Sequence, residues 1–248
     1  MIGLLGKKIG MTQIFDKAGQ SKAVTVLEVG PCTVLQVKQK DGKDGYQAVQ
    51  LGFLDKKLKR TSKSEAGHAK KSNATPKRFV KEIRTDSLEG LQPGAELRVN
   101  NFAIGDWIDV IGTSIGRGYQ GVVKRHHFKG AQTKSHGTKH GREPGSIGQS
   151  AFPSRVLKGT KMPGHMGNER VTLQNLKVVN IDLENNIMAV SGAVPGPKDG
   201  YLIIREAIKK RRPRAWRAPD QPVEELQEKV VQQVTKKAKA AAKPAAKK

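Results

Sequence analysis

Cysteine is almost missing from this chain: Cys32 is the only one in 248 residues. A single thiol forms no intramolecular disulfide and no multi-cysteine zinc site, and it fits a reducing compartment. Aromatic residues are scarce at 4 %, and hydrophobic residues reach only 36 %. The core must therefore come from Val, Ile and Leu, and it is small for this length, so part of the chain is expected to stay unpacked. No apolar run is long enough to cross a bilayer. The opening MIGLLGKKIGMTQIF has neither the apolar core of a secretion signal nor a Ser/Arg-rich presequence. The expected location is a bacterial-type cytoplasm or the equivalent interior of an organelle. Acidic residues are also few, 22 Asp and Glu against 46 Lys and Arg, for a formal net charge of +24. Such an excess repels itself unless a polyanion neutralises it, and nucleic acid is the obvious partner.

Short β-branched stretches separated by Gly, Asp or Pro read as strands: 23–29, 33–37, 46–51, 96–99 and 107–111. The pattern returns at 171–181, 187–190 and 201–204, with Glu184-Asn185-Asn186 as a hairpin turn. Strands do not alternate with amphipathic helices, so a parallel α/β sheet is disfavoured. A closed antiparallel β-barrel is the expected, mainly β, class. Residues 1–111 and 171–208 are assigned to that barrel, with a small polar excursion at about 60–90 in which 63–84 has some helical character. Residues 209–248 form a basic C-terminal tail. Within it Leu226, Val230, Val231 and Val234 fall at helical spacing, between the acids Glu224 and Glu225 and a closing Lys/Ala tract.

The interruption at 112–170 carries most of the functional information. It holds eleven Lys and Arg against only Glu143 and Glu169, an excess of nine positive charges, and it is rich in glycine and poor in apolar periodicity. A loop of this length without a core is functional or unstructured. Strands on both sides make it an insertion carried by the barrel, a finger whose order comes from phosphates that replace its counterions.

Two strings in the finger imitate enzyme signatures. Gly112-Thr113-Ser114-Ile115-Gly116 matches a nucleophile elbow, but an elbow needs a helix next and then an acid and a histidine, whereas the residues after Ser114 are glycine-rich and basic and Glu143 is the only acid before His165. Gly116-Arg117-Gly118-Tyr119-Gln120-Gly121 matches a dinucleotide fingerprint, but Val122 to His127 shows no amphipathic face for the helix that must follow. Glycines that let a backbone approach a phosphodiester, with Arg117, Lys124 and Arg125 to neutralise it, explain both strings without catalysis. His136 and His140 have ligand-like spacing, yet neither cysteine nor nearby carboxylate completes a metal shell. The finger histidines suit nucleotide contacts better. Tyr119, Phe128 and Phe152 suit stacking, with packing of Tyr119 and Phe128 at the finger base as the alternative. Trp107 reads as a core residue of its strand.

The strings PGSIGQSAFPSRVLKGTKMPGHMGNERVT at 144–172, DVIGTSIGRGYQGVVKRHHF at 109–128, GAVPGPKDGYLIIR at 192–205 and the opening MIGLLGKKIGMTQIF occur in order across about 1–208. Together they closely resemble the universal large-subunit ribosomal protein family called L-three, in its bacterial form. The resemblance implies a six-stranded barrel of the translation-protein type on the outer face of the ribosome. Its finger would thread through rRNA toward the peptidyl-transferase centre. It also implies early assembly near the rRNA 3′ end, beside other large-subunit proteins. Gly148, Gln149 and Ser150 would lie at or near the fingertip, with Arg155, Lys158, Lys161, Asn168 and Arg170 on the returning strand. Some bacterial relatives carry a methylated glutamine where this chain has Ala151, so that modification is not expected at this position.

The expected function is that of a structural constituent of the large subunit that binds its rRNA and nucleates assembly. It needs no cofactor, metal, membrane or small-molecule substrate. Candidate rRNA-binding residues are Lys7 and Lys8 in the opening string, and Arg117, Lys124, Arg125, His126, Lys129, Lys139 and Arg142 on the outgoing arm. Gln149, Ser150, Ala151 and Phe152 are the candidates at the tip, and Arg155, Lys158, Lys161, His165, Asn168 and Arg170 those on the return. A free nucleic-acid chaperone and a nucleotide-dependent enzyme are the rival classes. Sedimentation separates the first from a subunit component, and nucleotide binding by the isolated chain tests the second.

Overall fold

Valine, isoleucine and leucine stretches set the architecture. The computed structural model describes residues 3–15, 19–42, 44–86, 88, 90–130 and 141–210, and it is mainly β as the sequence predicts. In chain order the first strands are β1 (Gly3–Phe15), β2 (Ser21–Val29), β3 (Cys32–Lys38), β4 (Ala48–Asp55), β5 (Lys77–Arg84) and β6 (Glu96–Leu97). Then come β7 (Trp107–Thr113), β8 (Gly118–Gln120), β9 (Gly164–Met166), β10 (Arg170–Asp182), β11 (Ile187–Ser191) and β12 (Tyr201–Glu206). Among the described residues there are two α-helices, α1 (Lys63–Lys70) and α2 (Val122–His126), both short. Six strands pair antiparallel in the order β1-β12-β7-β10-β11-β2, and β2 returns to β1 to close the ring.

Alternation along these strands sends Leu27, Ile108, Val110, Val178, Met188, Leu202 and Ile204 inward, where all are buried. Each such side chain contributes about 1.5–3 kcal/mol relative to exposure. The N-terminal segment is a thirteen-residue strand that the sequence reading did not include among its strands. Its glycines conceal it. A Cβ on Gly6 would come within 2.5 Å of the Glu28 carbonyl oxygen on β2, and one on Gly3 within 2.9 Å of Ile83. Glycine here marks close backbone approach rather than a turn.

The strands expected at 33–37, 46–51 and 96–99 do not join the ring. They build a second sheet, β5-β4-β3-β6, whose Val34, Leu51, Phe53 and Ile83 share one core with Leu4 and Leu5 of β1. Cys32 sits at that junction. Its sulfur lies 3.4 Å from the Leu5 nitrogen and 3.3 Å from the Leu5 oxygen, and burial pushes its thiol up to about 12. At neutral pH it is an inert core residue. The polar excursion divides in two. Residues 63–70 are helical behind a Ser62/Glu65 capping box, while 77–84 pair with β4 as an edge strand. Phe79 of that strand stacks on Tyr201 of the ring at 4.7 Å between centroids, fastening the second sheet to the barrel wall.

The predicted hairpin turn is present between β10 and β11. Asp182 accepts from the Glu184 and Asn185 amides at 3.1 and 3.4 Å, and Asn186 takes a positive φ of 53°. Trp107 departs from expectation: it is half-buried at the start of β7, with the Lys210 ammonium 4.1 Å from its ring centroid. The amphipathic stretch of the tail lies outside the described residues.

Candidate nucleic-acid interface

The finger begins where two neighbouring strands of the ring overrun it. Thr113 at the end of β7 faces Arg170 at the start of β10. The ladder then continues outward: the Ser114 amide donates to the Glu169 carbonyl at 2.9 Å, and the Arg117 amide to the Met166 carbonyl at 2.9 Å. Beyond them β8 and β9 pair Gly118 with Met166, Tyr119 with His165 and Gln120 with Gly164. The result is a two-stranded stem. Gly167 makes it possible, since its φ is +76° and any Cβ there would overlap the Ile115 carbonyl.

A buried carboxylate braces the ring strand that leads into this stem. Asp109 on β7 accepts from the Asn175 amide at 3.0 Å and the Ile208 amide at 3.3 Å, with the Arg205 guanidinium 3.8 Å away. Asn175 sits in a bulge where the β7–β10 register shifts between Leu173 and Leu176. Such a bulge bends a strand, here within the ring, between the pairing of β10 with Trp107–Ile108 and its pairing with Val110–Thr113.

At the outer end of the stem the chain turns into α2, a five-residue helix where the sequence showed no amphipathic face. Val122 is its buried anchor, and His127, left-handed at φ 61°, closes it. Arg125 donates to the Met162 carbonyl at 2.8 Å across the two arms, and His126 Nε2 lies 3.1 Å from the same oxygen. A carbonyl only accepts, so that ring nitrogen carries the proton. The Arg125 guanidinium also covers Gly164, where a Cβ would come within 2.6 Å of Nη1. Further out the arms still meet, because a Cβ on Gly130 would overlap the Gly141 carbonyl. Residues 131–140, with Lys139, His136 and His140, lie outside the described residues.

The predicted site residues fall into three environments. Lys7 and Lys8 are engaged within the fold. Lys7 pairs with Glu28 at 3.1 Å and Asp199 at 3.4 Å, and the Glu28 carboxylate holds its ammonium charged to higher pH than usual. Lys8 donates to the Val194 and Gly196 carbonyls at 2.8 and 3.3 Å. Arg125 and His126 tie the arms together, as described. The rest point outward: Arg117, Lys124, Lys129, Arg142, Gln149, Ser150, Ala151, Arg155, Lys158, Lys161, His165, Asn168 and Arg170 are exposed, and Phe152 is 85 % exposed. Of the other aromatics, Tyr119 is exposed and Phe128 half-buried beside His126.

Two clefts flank the stem. One of 680 Å³ is lined by Lys8, Arg117, Arg125, His126 and His165 with a single carboxylate, Glu169. The other, of 710 Å³, lies between the stem and the second sheet and is lined by Lys81, Glu82, Asn168, Arg170, Phe79 and Tyr201. Around its aromatic pair the Arg78 guanidinium lies 5.9 Å from the Tyr201 centroid and the Lys81 ammonium 6.0 Å from that of Phe79. Concave surfaces lined mainly by one sign of charge focus the field and concentrate counter-ions. Sequence reasoning missed Lys81 and Tyr201, which stand with Arg170 in the lining of this cleft only in three dimensions, and Arg78 beside Tyr201. The cation/apolar alternation of KRFVKEIR was the available signal.

Neither enzyme-like string has its required setting. Ser114 accepts the Glu169 amide at 3.2 Å as part of the stem, and the glycines of 116–121 run through β8 into a helix only five residues long. Among the described residues no three His, Cys, Asp or Glu side chains cluster as a metal shell, and no helix is long and apolar enough to cross a membrane.

A family model for Ribosomal protein L3 matches residues 95–186, from β6 through the finger to the β10–β11 turn. The large ribosomal subunit protein uL3 of Alkaliphilus metalliredigens is 50 % identical over 209 residues, covering 84 % of this chain and 99 % of the relative. That of Geotalea daltonii is 50 % identical over 210 residues, 85 % of this chain and 99 % of the relative. That of Heliobacterium modesticaldum is 49 % identical over 207 residues, with coverages of 84 % and 97 %. Similarity at this level over nearly the whole length of each relative means that the chain belongs to the ribosomal protein L3 family.

Proposed function

We propose that this protein is a structural constituent of the large ribosomal subunit that binds large-subunit rRNA directly through its finger and the two clefts at the finger's root. As a member of its family it is a ribosomal protein and not an enzyme. One observation carries the RNA reading. In the body, Lys7, Lys38, Lys56 and Lys77 each have a carboxylate partner within 4 Å. On the finger, Arg155, Lys158 and Lys161 are exposed, and among the described residues none has one. Unpaired cations on a segment with little core fit phosphates converging from several RNA helices, where released counter-ions drive association.

In this reading the ring and second sheet dock on the RNA surface, and the finger reaches toward the peptidyl-transferase centre. It works in the cytoplasm or an organelle interior, beside neighbouring large-subunit proteins. Neutralising clustered phosphates lowers the cost of packing them, so the protein acts early in assembly. Its influence on the reaction centre is indirect, through nucleotides positioned by Gln149, Ser150 and Phe152. Deleting residues 124–161 and following particles on sucrose gradients tests this. The expected result is loss of mature large subunits while the barrel stays folded. Normal particles with normal peptidyl transfer would overturn it.

A further inference from the structure

Charge is spread unevenly over the body of the protein. Outside the finger and the C-terminal tail, residues 1–54, 85–111 and 171–206 hold 11 Lys and Arg against 13 Asp and Glu, which is close to balance. Residues 55–84, which contain α1 and β5, hold 11 Lys and Arg against only Asp55, Glu65 and Glu82. That is an excess of eight in 30 residues, beside the nine that the finger spreads over 59. The three carboxylates are already engaged: Glu65 with Lys56 at 2.7 Å, Asp55 with Lys77 at 2.8 Å and Glu82 with Lys38 at 2.9 Å. The other nine cations of the segment are exposed, and none has a carboxylate within 4 Å among the described residues.

Folding gathers these cations on one side of the second sheet. Cross-strand pairing sets Gln50 of β4 opposite Glu82 of β5, and the His68 ring of α1 lies 2.5 Å from the Gln50 side-chain oxygen. The last turn of α1, with Lys70 and Lys71 at its end, therefore rests on the face from which Glu82 and Arg84 project, since alternate residues of a strand share a face. Ala69 is the buried contact of the helix, and Lys63, two turns before Lys70, shares its outward face. Toward either end of β5 an aromatic ring holds an arginine: the Arg78 guanidinium lies 5.9 Å from the Tyr201 centroid, and that of Arg84 5.1 Å from the Tyr46 centroid. A ring restricts a cation without neutralising it, so the charge is kept while side-chain freedom is given up in advance.

A surface of this kind repels itself until a polyanion covers it. Cations that guard the free edge of β5 against strand pairing would account for that strand alone, and leave Lys63, Lys70 and Lys71 on the helix unexplained. The segment has one Phe and no Tyr or Trp, and Phe79 is half-buried in its stack on Tyr201. It therefore offers no exposed ring for stacking unpaired bases. Six residues of strand set Arg78 and Arg84 roughly 20 Å apart, and cations held at fixed separations suit the regularly spaced phosphates of a double helix.

We propose that the outer surface of α1 and β5 is a second RNA-binding surface, separate from the finger and its clefts, which grips the phosphate backbone of a double-helical RNA segment without reading its sequence. This rests on the reading of the protein as an rRNA-binding constituent of the large subunit. The body then holds a duplex from outside, and the finger enters between helices.

Two full-length variants test it side by side on large-subunit rRNA and on a short RNA duplex of arbitrary sequence. One carries Lys63→Gln, Lys70→Gln, Lys71→Gln and Arg84→Gln, and the other Arg155→Ala, Lys158→Ala and Lys161→Ala. The Gln variant is expected to flatten the salt dependence of duplex binding by about three units of log K per log salt, with an unchanged denaturation midpoint. Exchanging the cations instead, by Lys63→Arg, Lys70→Arg, Lys71→Arg and Arg84→Lys, should keep the parent slope. A Gln variant with the parent slope on both RNAs overturns the proposal, and flattening by the finger variant in the same experiment leaves the rRNA reading standing. Parent slopes in both variants overturn the two together. Weaker binding of a single strand with duplex binding unchanged overturns the duplex assignment. Loss of a neighbouring protein from assembled subunits, with both RNA slopes unchanged, assigns the surface to an acidic protein partner and also overturns the proposal.

Discussion

The ring with its second sheet and the finger are built from the same chain by opposite rules. In the ring, buried Leu, Ile and Val dominate, and even the buried charge of Asp109 is held by two backbone amides and Arg205. In the finger the described backbone is organised by a two-stranded stem and glycines, and apart from Arg125 its described cations face outward. Several lysines of the body, Lys7, Lys38, Lys56 and Lys77, therefore have carboxylates beside them, whereas Arg155, Lys158 and Lys161 of the finger have none among the described residues. If the finger binds rRNA as proposed, stability and binding fall to separate regions, and changes in one should scarcely register in the other.

The largest effect expected from this division is on binding. Replacing Arg155, Lys158 and Lys161 together by Ala should flatten the salt dependence of rRNA binding by roughly two to three units of log K per log salt, at a cost below about 0.5 kcal/mol in chemical denaturation. A comparable drop in stability would break the comparison. The converse change is Ile108→Ala, which removes a fully buried ring side chain. It should cost about 2–5 kcal/mol in the same denaturation, while the folded fraction keeps its salt slope.

Gly167→Ala probes the boundary. Placing a Cβ at φ +76° against the Ile115 carbonyl should loosen the stem locally by about 1–3 kcal/mol. Hydrogen exchange at the Arg117 amide should quicken, with the ring amides unchanged. The smallest effect is electrostatic and belongs to the body. The Lys38 ammonium beside Glu82 holds its carboxyl below the ordinary value of 4.5. A depressed carboxyl contributes stability that is complete above the ordinary value and lost as pH falls through the folded one. Glu82→Gln should therefore melt slightly lower at neutral pH and lose less stability between about pH 5 and pH 3 than the parent.

Much of this was legible in the sequence. β-branched runs gave the strands, Glu184-Asn185-Asn186 the turn, and the nine-charge excess of 112–170 the finger. β1 was hidden because Gly3 and Gly6, which read as punctuation, are the points where Ile83 and the Glu28 carbonyl press against the strand. Lys7 and Lys8 were selected for their charge, but Glu28, Asp199 and two carbonyls lie within reach only after β1 pairs and the 194–200 loop folds over it. The cleft of Lys81, Tyr201 and Arg170 joins residues more than 100 positions apart.

By itself the amino-acid sequence determined most of the segments that extend, where apolar periodicity stops and where the net charge accumulates, because each depends mainly on side chains and near neighbours. Tertiary structure alone decided that 32–97 forms a second sheet, that the finger leaves as a paired stem, and which cations are already engaged. Strand pairing is long-range: alternation specifies a buried face but not the strand beside it, and a lysine is free or paired according to what the fold brings within 4 Å.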